Sequence, residues 1–434
     1  MFGLITGFHA TLLFVVVYFS VFCSTFFILI FLQNIQHMKN PKNPKKYSVT
    51  IIIPAHNEEA GIAATIKSAL SINYPKRLLE IMVIENGESK DKTYAIAKKF
   101  EKFGVKVFQL KKAGKGHALN YGIKKAKGEI IITMDADTYI RDKDILHKVL
   151  SYFSNPEIFS VAPAIRPAPP KTLAQRIQYV EYVFGIFLRK VFSLIDAVYV
   201  TPGAFTAYRK VIFKKVGYFD DNNITEDFEM TLRIQKQHFR IANVIDAMVY
   251  TNSPDNFSDL MKQRVRWFLG FIDCLIIHKS LFHVKHGYLG IFILPSAIIS
   301  ITLSLALFLF SIGKLIFETV KFFTRASVSD FYNMYKFTLY NIKFDSFFYS
   351  ASIVDFVVVI LFLLGVFIFF AARKYSKDQE KFAISFFFYI ALYVFLFASW
   401  WIKTLLYKLA GKDLRFGGVV WNNNLISKLT NRVS

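Results

Sequence analysis

Cysteine is nearly missing from this chain: there are two, Cys23 and Cys274, among 434 residues. One lies in an apolar run and the other far along the chain, so neither a disulfide framework nor a cysteine zinc site is readable. Charge is thin as well. Asp, Glu, Lys and Arg make up only 20% of the residues, and acids are the scarcer sign, 31 against 54 basic residues. The formal charge of +23 leaves two kinds of partner: nucleic acid, or an anionic membrane face with phosphate-bearing substrates. What the chain has in quantity is apolar surface, 54% hydrophobic and 17% aromatic residues with 48 Phe and 22 Tyr. That excludes a disordered chain and is too apolar for an ordinary soluble enzyme. The basic residues are spread along the chain rather than gathered in one stripe, so no nucleic-acid partner is expected.

The apolar residues fall into long runs. Phe8 to Leu32 carries no formal charge, His9 aside, and is long enough to cross roughly 30 Å of hydrocarbon. It exceeds a typical signal core and leads into no small-residue cleavage site, so it reads as a retained anchor. Lys39, Lys42, Lys45 and Lys46 follow it and place the downstream region in the cytoplasm. Three further runs are Gly287–Gly313, Ala351–Ala372 and Phe382–Ile402, the last closed by Trp400 and Trp401. Nothing between Asn34 and His286 is long and apolar enough to span. The expected division is an anchor over 1–33 and a cytosolic domain over 34–286 with interfacial helices near its end. C-terminal membrane helices follow over 287–402, with an interfacial segment around 314–350, and then a basic tail over 403–434. This describes a multi-pass protein of the cell membrane with a cytoplasmic catalytic domain. One anchor and three later spans put the tail outside, yet Lys403, Lys408, Lys412, Arg415, Lys428 and Arg432 favour the inside. Either Pro295 breaks the first run into a re-entrant pair, or Lys314–Ser350 lies flat at the interface.

The middle stretch alternates short β-branched runs with helical patterns. Ser48–Pro54, Glu80–Ile84, Val105–Gln109 and Glu129–Met134 read as strands. Glu58–Ile72, Asp91–Phe103 and Lys115–Lys127 read as helices. Such alternation implies βαβ units and a parallel sheet, with ligands at the carboxyl ends of the strands.

Unusual polar residues cluster in those loops. Asp135 and Asp137, two apart at a strand end, can reach one divalent ion, and Mg²⁺ or Mn²⁺ shares its shell with substrate phosphates. Taken singly, an Asp-x-Asp is as well explained by a capped loop. Lys115, between Gly114 and Gly116 at a helix start, suits a phosphate, although a solvated turn explains it equally. Thr225-Glu226-Asp227 opens a helix. The acids favour the helix dipole there, or a carboxylate serves as general base for an attacking alcohol. Gln263, Arg266 and Trp267 share one helical face. Trp offers a platform for a sugar ring and Arg a grip on diphosphate; a membrane-interface helix is the plainer reading.

Pro54-Ala55-His56-Asn57-Glu58, Gly114-Lys115-Gly116 with Ala118-Leu119-Asn120, Asp135-Ala136-Asp137, Thr225-Glu226-Asp227 and Gln263-Arg264-Val265-Arg266-Trp267 come in one order over residues 48–270. That order resembles family 2 glycosyltransferases, closest to the membrane-embedded processive branch of cellulose, chitin, hyaluronan and poly-N-acetylglucosamine synthases. The resemblance implies an α/β GT-A (Rossmann-like) domain beside an α-helical transmembrane bundle, and an inverting transferase that needs Mg²⁺ or Mn²⁺. It places Ala55, Asn57, Glu58, Lys115, Asp135 and Arg266 at the nucleotide donor, and Asp135 and Asp137 at the metal. Asp227 becomes the base, with Gly203, Glu226, Gln263 and Trp267 on the acceptor side. Where family members usually carry an Asp after the second strand, this chain has Glu85, which takes that role with a longer side chain. The implied partners are a nucleotide sugar, with UDP-sugar favoured, and a growing glycan, with membrane lipids around them. The alternative transfers one sugar to a polyprenyl or dolichyl phosphate or another lipid acceptor. A transporter is less well supported, because the spans are few and Asp355 is the main intramembrane charge.

Overall fold

The computed structural model describes residues 2–41, 45–325, 353–411, 413–416 and 419–421. They fall into two compact units, Met1–Ile28 with Ser296–Phe367, and Leu29–Pro295 with Ile368–Ser434. The first unit is wholly helical where described. It holds most of α1 (Phe2–Gln33) and α10 (Leu294–Arg325), and the start of α11 (Ile353–Tyr375). Leu315, Ile316, Val320 and Phe323 face outward, as expected where lipid rather than water is the solvent.

The second unit carries the chemistry. Its sheet has eight strands in the order β3-β2-β1-β4-β7-β6-β8-β5. The strands are β1 (Val49–Ala55), β2 (Leu79–Asn86), β3 (Lys106–Leu110), β4 (Ile130–Met134), β5 (Thr138–Ile140), β6 (Ile158–Pro167), β7 (Phe205–Arg209) and β8 (Arg240–Thr251). The four expected strands are β1 to β4, and they pair in parallel. Ile51, Ile52 and Ile53 are all fully buried, because helices cover both faces of such a sheet. Each contributes about 1.5–3 kcal/mol of burial. From β4 onward the sheet becomes mixed, with β7 antiparallel to both β4 and β6 and β5 antiparallel to β8. The Asp135–Asp137 loop lies at that change of direction, between β4 and β5.

The helices of this unit are α2 (Ile62–Leu70), α3 (Thr93–Lys98), α4 (Lys115–Lys125), α5 (Ile145–Ser151), α6 (Leu173–Leu194), α7 (Ile212–Val216), α8 (Glu226–Lys236) and α9 (Phe257–Ile277). A last helix, α12, covers Ala383–Leu409, and a hairpin of β9 (Leu414–Phe416) and β10 (Val419–Trp421) follows. α2 starts later than its pattern implied. Asn57, with φ of 54°, holds 56–61 as a loop, so Glu58 stands free of the helix.

Among the described residues four helices are long and apolar enough to cross a membrane: Ala10–Gln33, Leu289–Thr324, Ile353–Tyr375 and Ala383–Leu409. The re-entrant break expected at Pro295 is not found. A π-helical turn, Leu289–Ile293, runs directly into α10, and Pro295 falls in its first turn, where a missing N–H costs nothing. Of the segment expected to lie flat around 314–350, Lys314–Arg325 is helical continuation of α10, and 326–350 lies outside the described residues.

Candidate active site

Lys115 is the hub. Gly114, with φ of 122°, turns the chain into α4, and its N–H donates to Asn86 Oδ1 at 3.0 Å. That ties the turn to the end of β2. Lys115 is then the first residue of α4, and its Nζ reaches Asp135 Oδ1 at 2.6 Å and Glu226 Oε1 at 3.0 Å. Burial opposes its charge, but Asp135, Glu226 and Asp227 outweigh burial and hold the ammonium above the usual lysine pKa. One cation thus joins loops more than a hundred residues apart in sequence.

The acidic loop after β4 is clamped. Asp135 N–H donates to Ala204 O at 3.2 Å, and Thr65 Oγ1 donates to Ala136 O at 2.6 Å. Glu58 lies opposite, over Gly61, where a Cβ would stand 3.1 Å from Ala136 O and 3.6 Å from Glu58 Oε2. Burial, then Asp137, Asp135 and Asp91, push Glu58 up to about 7. Burial, then Asp135, push Asp137 up to about 6 against the pull of Lys115. Among the described residues no group of three or more His, Cys, Asp or Glu is arranged to hold a metal. The residues present still fit a hard divalent cation in a two-carboxylate role. Asp135 and Asp137 repel each other, and such an ion takes its remaining ligands from phosphate and water.

Asp227 is held from two sides. Gly203 N–H donates to its Oδ2 at 2.7 Å, and the N–H of Phe228 donates to its Oδ1 at 2.8 Å. Burial, then Glu226, push its pKa up to about 6. Gly203 leaves both side chains in place: a Cβ there would sit 2.7 Å from Lys115 Nζ and 2.8 Å from Asp227 Oδ2, so one of them would have to move. Thr225 occupies the N-cap of α8 without capping it by its side chain. Its hydroxyl turns to Asn223 Oδ1 at 3.2 Å instead.

α9 closes the site because Gly270 lets it approach; a Cβ there would stand 2.2 Å from Thr225 Oγ1. Arg266 is thereby sunk among the acids. Burial lowers its pKa, while Glu226, Asp227, Asp135 and Asp137 all act to raise it. Gln263 and Trp267 turn out to be joined by a residue the pattern passed over. Arg264 is fully buried and bonds Glu181 Oε2 at 2.6 Å and Gln263 Oε1 at 2.9 Å. Its guanidinium stacks 4.2 Å from the centre of the Trp267 ring. The only signal in sequence was a second Arg two positions before Arg266.

At the ends of β1 and β2 the residues expected at the nucleotide are held by packing and hydrogen bonds within the two loops. The Ala55 side chain is packed in the core, and its carbonyl accepts from Asn86 Nδ2 at 3.2 Å. Asn57 Oδ1 accepts from Lys90 N–H at 2.9 Å, and Asn57 N–H donates to Ser89 Oγ at 3.0 Å. Glu85 is fully buried. Its Oε1 accepts from Ser89 N–H at 2.6 Å and from Ser89 Oγ at 2.7 Å, while Oε2 is buried with no hydrogen-bond partner among the described residues. Ser89 and Asn86, which brace this loop, were not singled out in the sequence. A cleft of about 880 Å³ elsewhere, lined by Glu157, His238, Arg240 and His286 among others, contains none of these acids.

A sheet that is parallel up to an Asp-x-Asp turn and mixed beyond it, with acids and a lysine gathered at that turn, defines a GT-A-type glycosyltransferase domain. Residues 50–217 match the family described as glycosyl transferase family 2. This segment is a family 2 glycosyltransferase domain, and the chain that carries it is a glycosyltransferase. Over 380 residues, 86% of each chain, it is 27% identical to a poly-beta-1,6-N-acetyl-D-glucosamine synthase of Staphylococcus epidermidis. A protein of the same name from Staphylococcus aureus is 30% identical over 232 residues, 52% of this chain and 55% of that one. Among solved structures, a mannosyltransferase of Pyrobaculum calidifontis in complex with GDP-Man and Mn²⁺ aligns over 85% of this chain and all of its own. The TM-score is 0.51 at 16% identity, a likeness of fold.

Proposed function

We propose that the chain is an inverting polysaccharide synthase of the membrane that extends a β-linked N-acetylglucosamine polymer from UDP-N-acetylglucosamine. The observation that carries the chemistry is Asp227, held by two backbone N–H groups beside a Lys115–Asp135–Glu226 cluster. Similarity to synthases of poly-beta-1,6-N-acetyl-D-glucosamine over 86% of the chain supports the sugar and the polymer.

In this reading Asp227 accepts the proton of the acceptor hydroxyl as its oxygen attacks the anomeric carbon. The bond from that carbon to the nucleoside diphosphate breaks on the opposite side, which inverts the configuration. Lys115 and Arg266 face the leaving diphosphate and stabilise its developing charge, so no general acid is needed. Asp135 and Asp137 would hold Mg²⁺ or Mn²⁺, which when bound neutralises diphosphate oxygens. Glu226 keeps Lys115 aimed, and Gln263 with Trp267 lines the acceptor side. Asn57, Glu58 and Glu85 shape the nucleotide end.

The test supplies membranes containing the chain with labelled UDP-N-acetylglucosamine, UDP-glucose or GDP-mannose, with and without Mn²⁺, and sizes the product. Long chains from UDP-N-acetylglucosamine alone are expected. A single sugar on a lipid phosphate would replace this reading with lipid-phosphate transfer.

A further inference from the structure

Four helices pass for membrane spans by length and composition, and α12, Ala383–Leu409, is one of them. Its neighbours deny it that role. The loop before α12 is bolted to the catalytic unit: Asp378 accepts from Arg166 Nη1 at 2.8 Å and from the Tyr179 hydroxyl, and Arg166 Nη2 donates to Ser376 Oγ at 2.8 Å. Its far end is bolted to the same unit, where Lys408 Nζ donates to Asp273 Oδ1 of α9 at 2.5 Å. In between, Tyr389 stacks on Phe184 of α6 at 5.7 Å, and Trp401 stacks on Phe268 of α9 at 4.4 Å. Trp400 is buried against Ala174 and Leu260. A helix of 27 residues is about 40 Å long, and this one stays on the catalytic unit from end to end. Charged groups of the helices beneath lie against it: the Arg264 guanidinium is 5.3 Å from the centre of the Trp400 ring and bonds Glu181 of α6, and Asp273 pairs with Lys408. Ionisable groups so placed are not compatible with hydrocarbon on every side.

The face of α12 turned away from the unit is apolar. Phe387 is 66% exposed, Phe395 54%, Leu406 60% and Leu409 86%, with Ile384 and Val394 beside them. Exposed Lys374 and Lys381 stand just before the helix, and Lys403 is on it; Lys377, between them, pairs with Asp246 of β8 at 3.6 Å. An apolar stripe framed by cations matches one occupant in particular, the headgroup–acyl boundary of an anionic bilayer.

We infer that α12 lies in the plane of the membrane surface as a docking helix, with its apolar stripe in the lipid and its opposite face on α6 and α9. Among the described helices the chain then crosses three times, through α1, α10 and α11, and the hairpin after α12 lies on the catalytic side. This resolves the conflict between an outside tail by span count and an inside tail by its basic residues. It also seats α9, the helix of Arg266 and Trp267, against a lipid-anchored strut.

Two measurements on the full chain test this. In liposomes of phosphatidylethanolamine and phosphatidylglycerol, with Cys23→Ser and Cys274→Ser in place, single cysteines at Phe387, Phe395 and Leu406 carry a fluorophore. Nitroxide lipids labelled near the headgroup or deep in the chain serve as quenchers. All three sites should be quenched at least twofold more by the shallow label. Deepest quenching at Phe395 with shallow ends would show a crossing helix. Absence of lipid quenching together with cross-linking between copies would show a protein partner. Either result overturns the proposal. Independently, a reporter fused after Ser434 of the unaltered sequence should be active on the same side as one inserted at Lys102. Activity on the opposite side also overturns it.

Discussion

Asp227 carries the sharpest expectation at the scale of single residues. Asp227→Asn keeps the two backbone N–H groups within reach of an oxygen but removes the carboxylate proposed to accept the proton. The rate constant kcat should fall by about 10²–10⁴-fold with little change in donor KM, measured with labelled UDP-N-acetylglucosamine. In the proposed mechanism Asp227 must be ionised, and its pKa is pushed up to about 6, so kcat/KM should drop roughly tenfold per pH unit below that value. Gly203→Ala should also be nearly inactive, since the added methyl lands on Lys115 Nζ and Asp227 Oδ2. The acids make a prediction about stability too. Glu58 rises from 4.5 to about 7, and Asp137 from 3.8 to about 6. The folded state therefore holds protons that the unfolded chain has released, and stability declines as pH climbs from about 4 to about 7. Mn²⁺, which binds ionised carboxylates, should raise the melting temperature more at pH 7.5 than at pH 5.5. Equal shifts at both values would count against a metal held by Asp135 and Asp137.

At the scale of elements, the way α9 meets α8 decides where Gln263, Arg266 and Trp267 stand. Gly270→Ala forces a methyl into Thr225, an overpacking worth about 1–3 kcal/mol. Thermal denaturation should show that loss, and adding Thr225→Ala should recover part of it. Arg264→Met breaks the pair with Glu181 and frees the Trp267 ring, so it should cost about 3 kcal/mol and raise acceptor KM more than donor KM. Legibility differed by element for physical reasons. β1 to β4 were readable because parallel strands buried on both faces are continuous apolar runs, as in Ile51, Ile52 and Ile53. β5 to β8 were not. Thr138–Ile140 is three residues long, and β6 carries Pro163, Arg166 and Pro167, so neither shows alternation or a clean run. The acids stood out because Asp135, Asp137, Glu226 and Asp227 sit at the ends of readable elements. Arg264 and the Ser89 brace did not, because their partners Glu181 and Glu85 are revealed only by tertiary packing.

At the scale of the whole molecule, two arrangements of apolar helix coexist under one composition. α10 and α12 are both long and greasy, and hydropathy alone cannot separate them. What separates them is where their ends are tied, as Lys408 is to Asp273. Removing that tie with Lys408→Glu should lower the melting temperature, and pairing it with Asp273→Lys should bring it back. The hairpin after α12 carries a practical consequence. Val419 Cγ2 lies 3.7 Å from where a Cβ on Gly114 would stand, so the last described strand leans on the turn that launches Lys115. The hairpin thus braces that turn from outside, and Val419→Ala should loosen the start of α4 that aims Lys115 at Asp135 and Glu226.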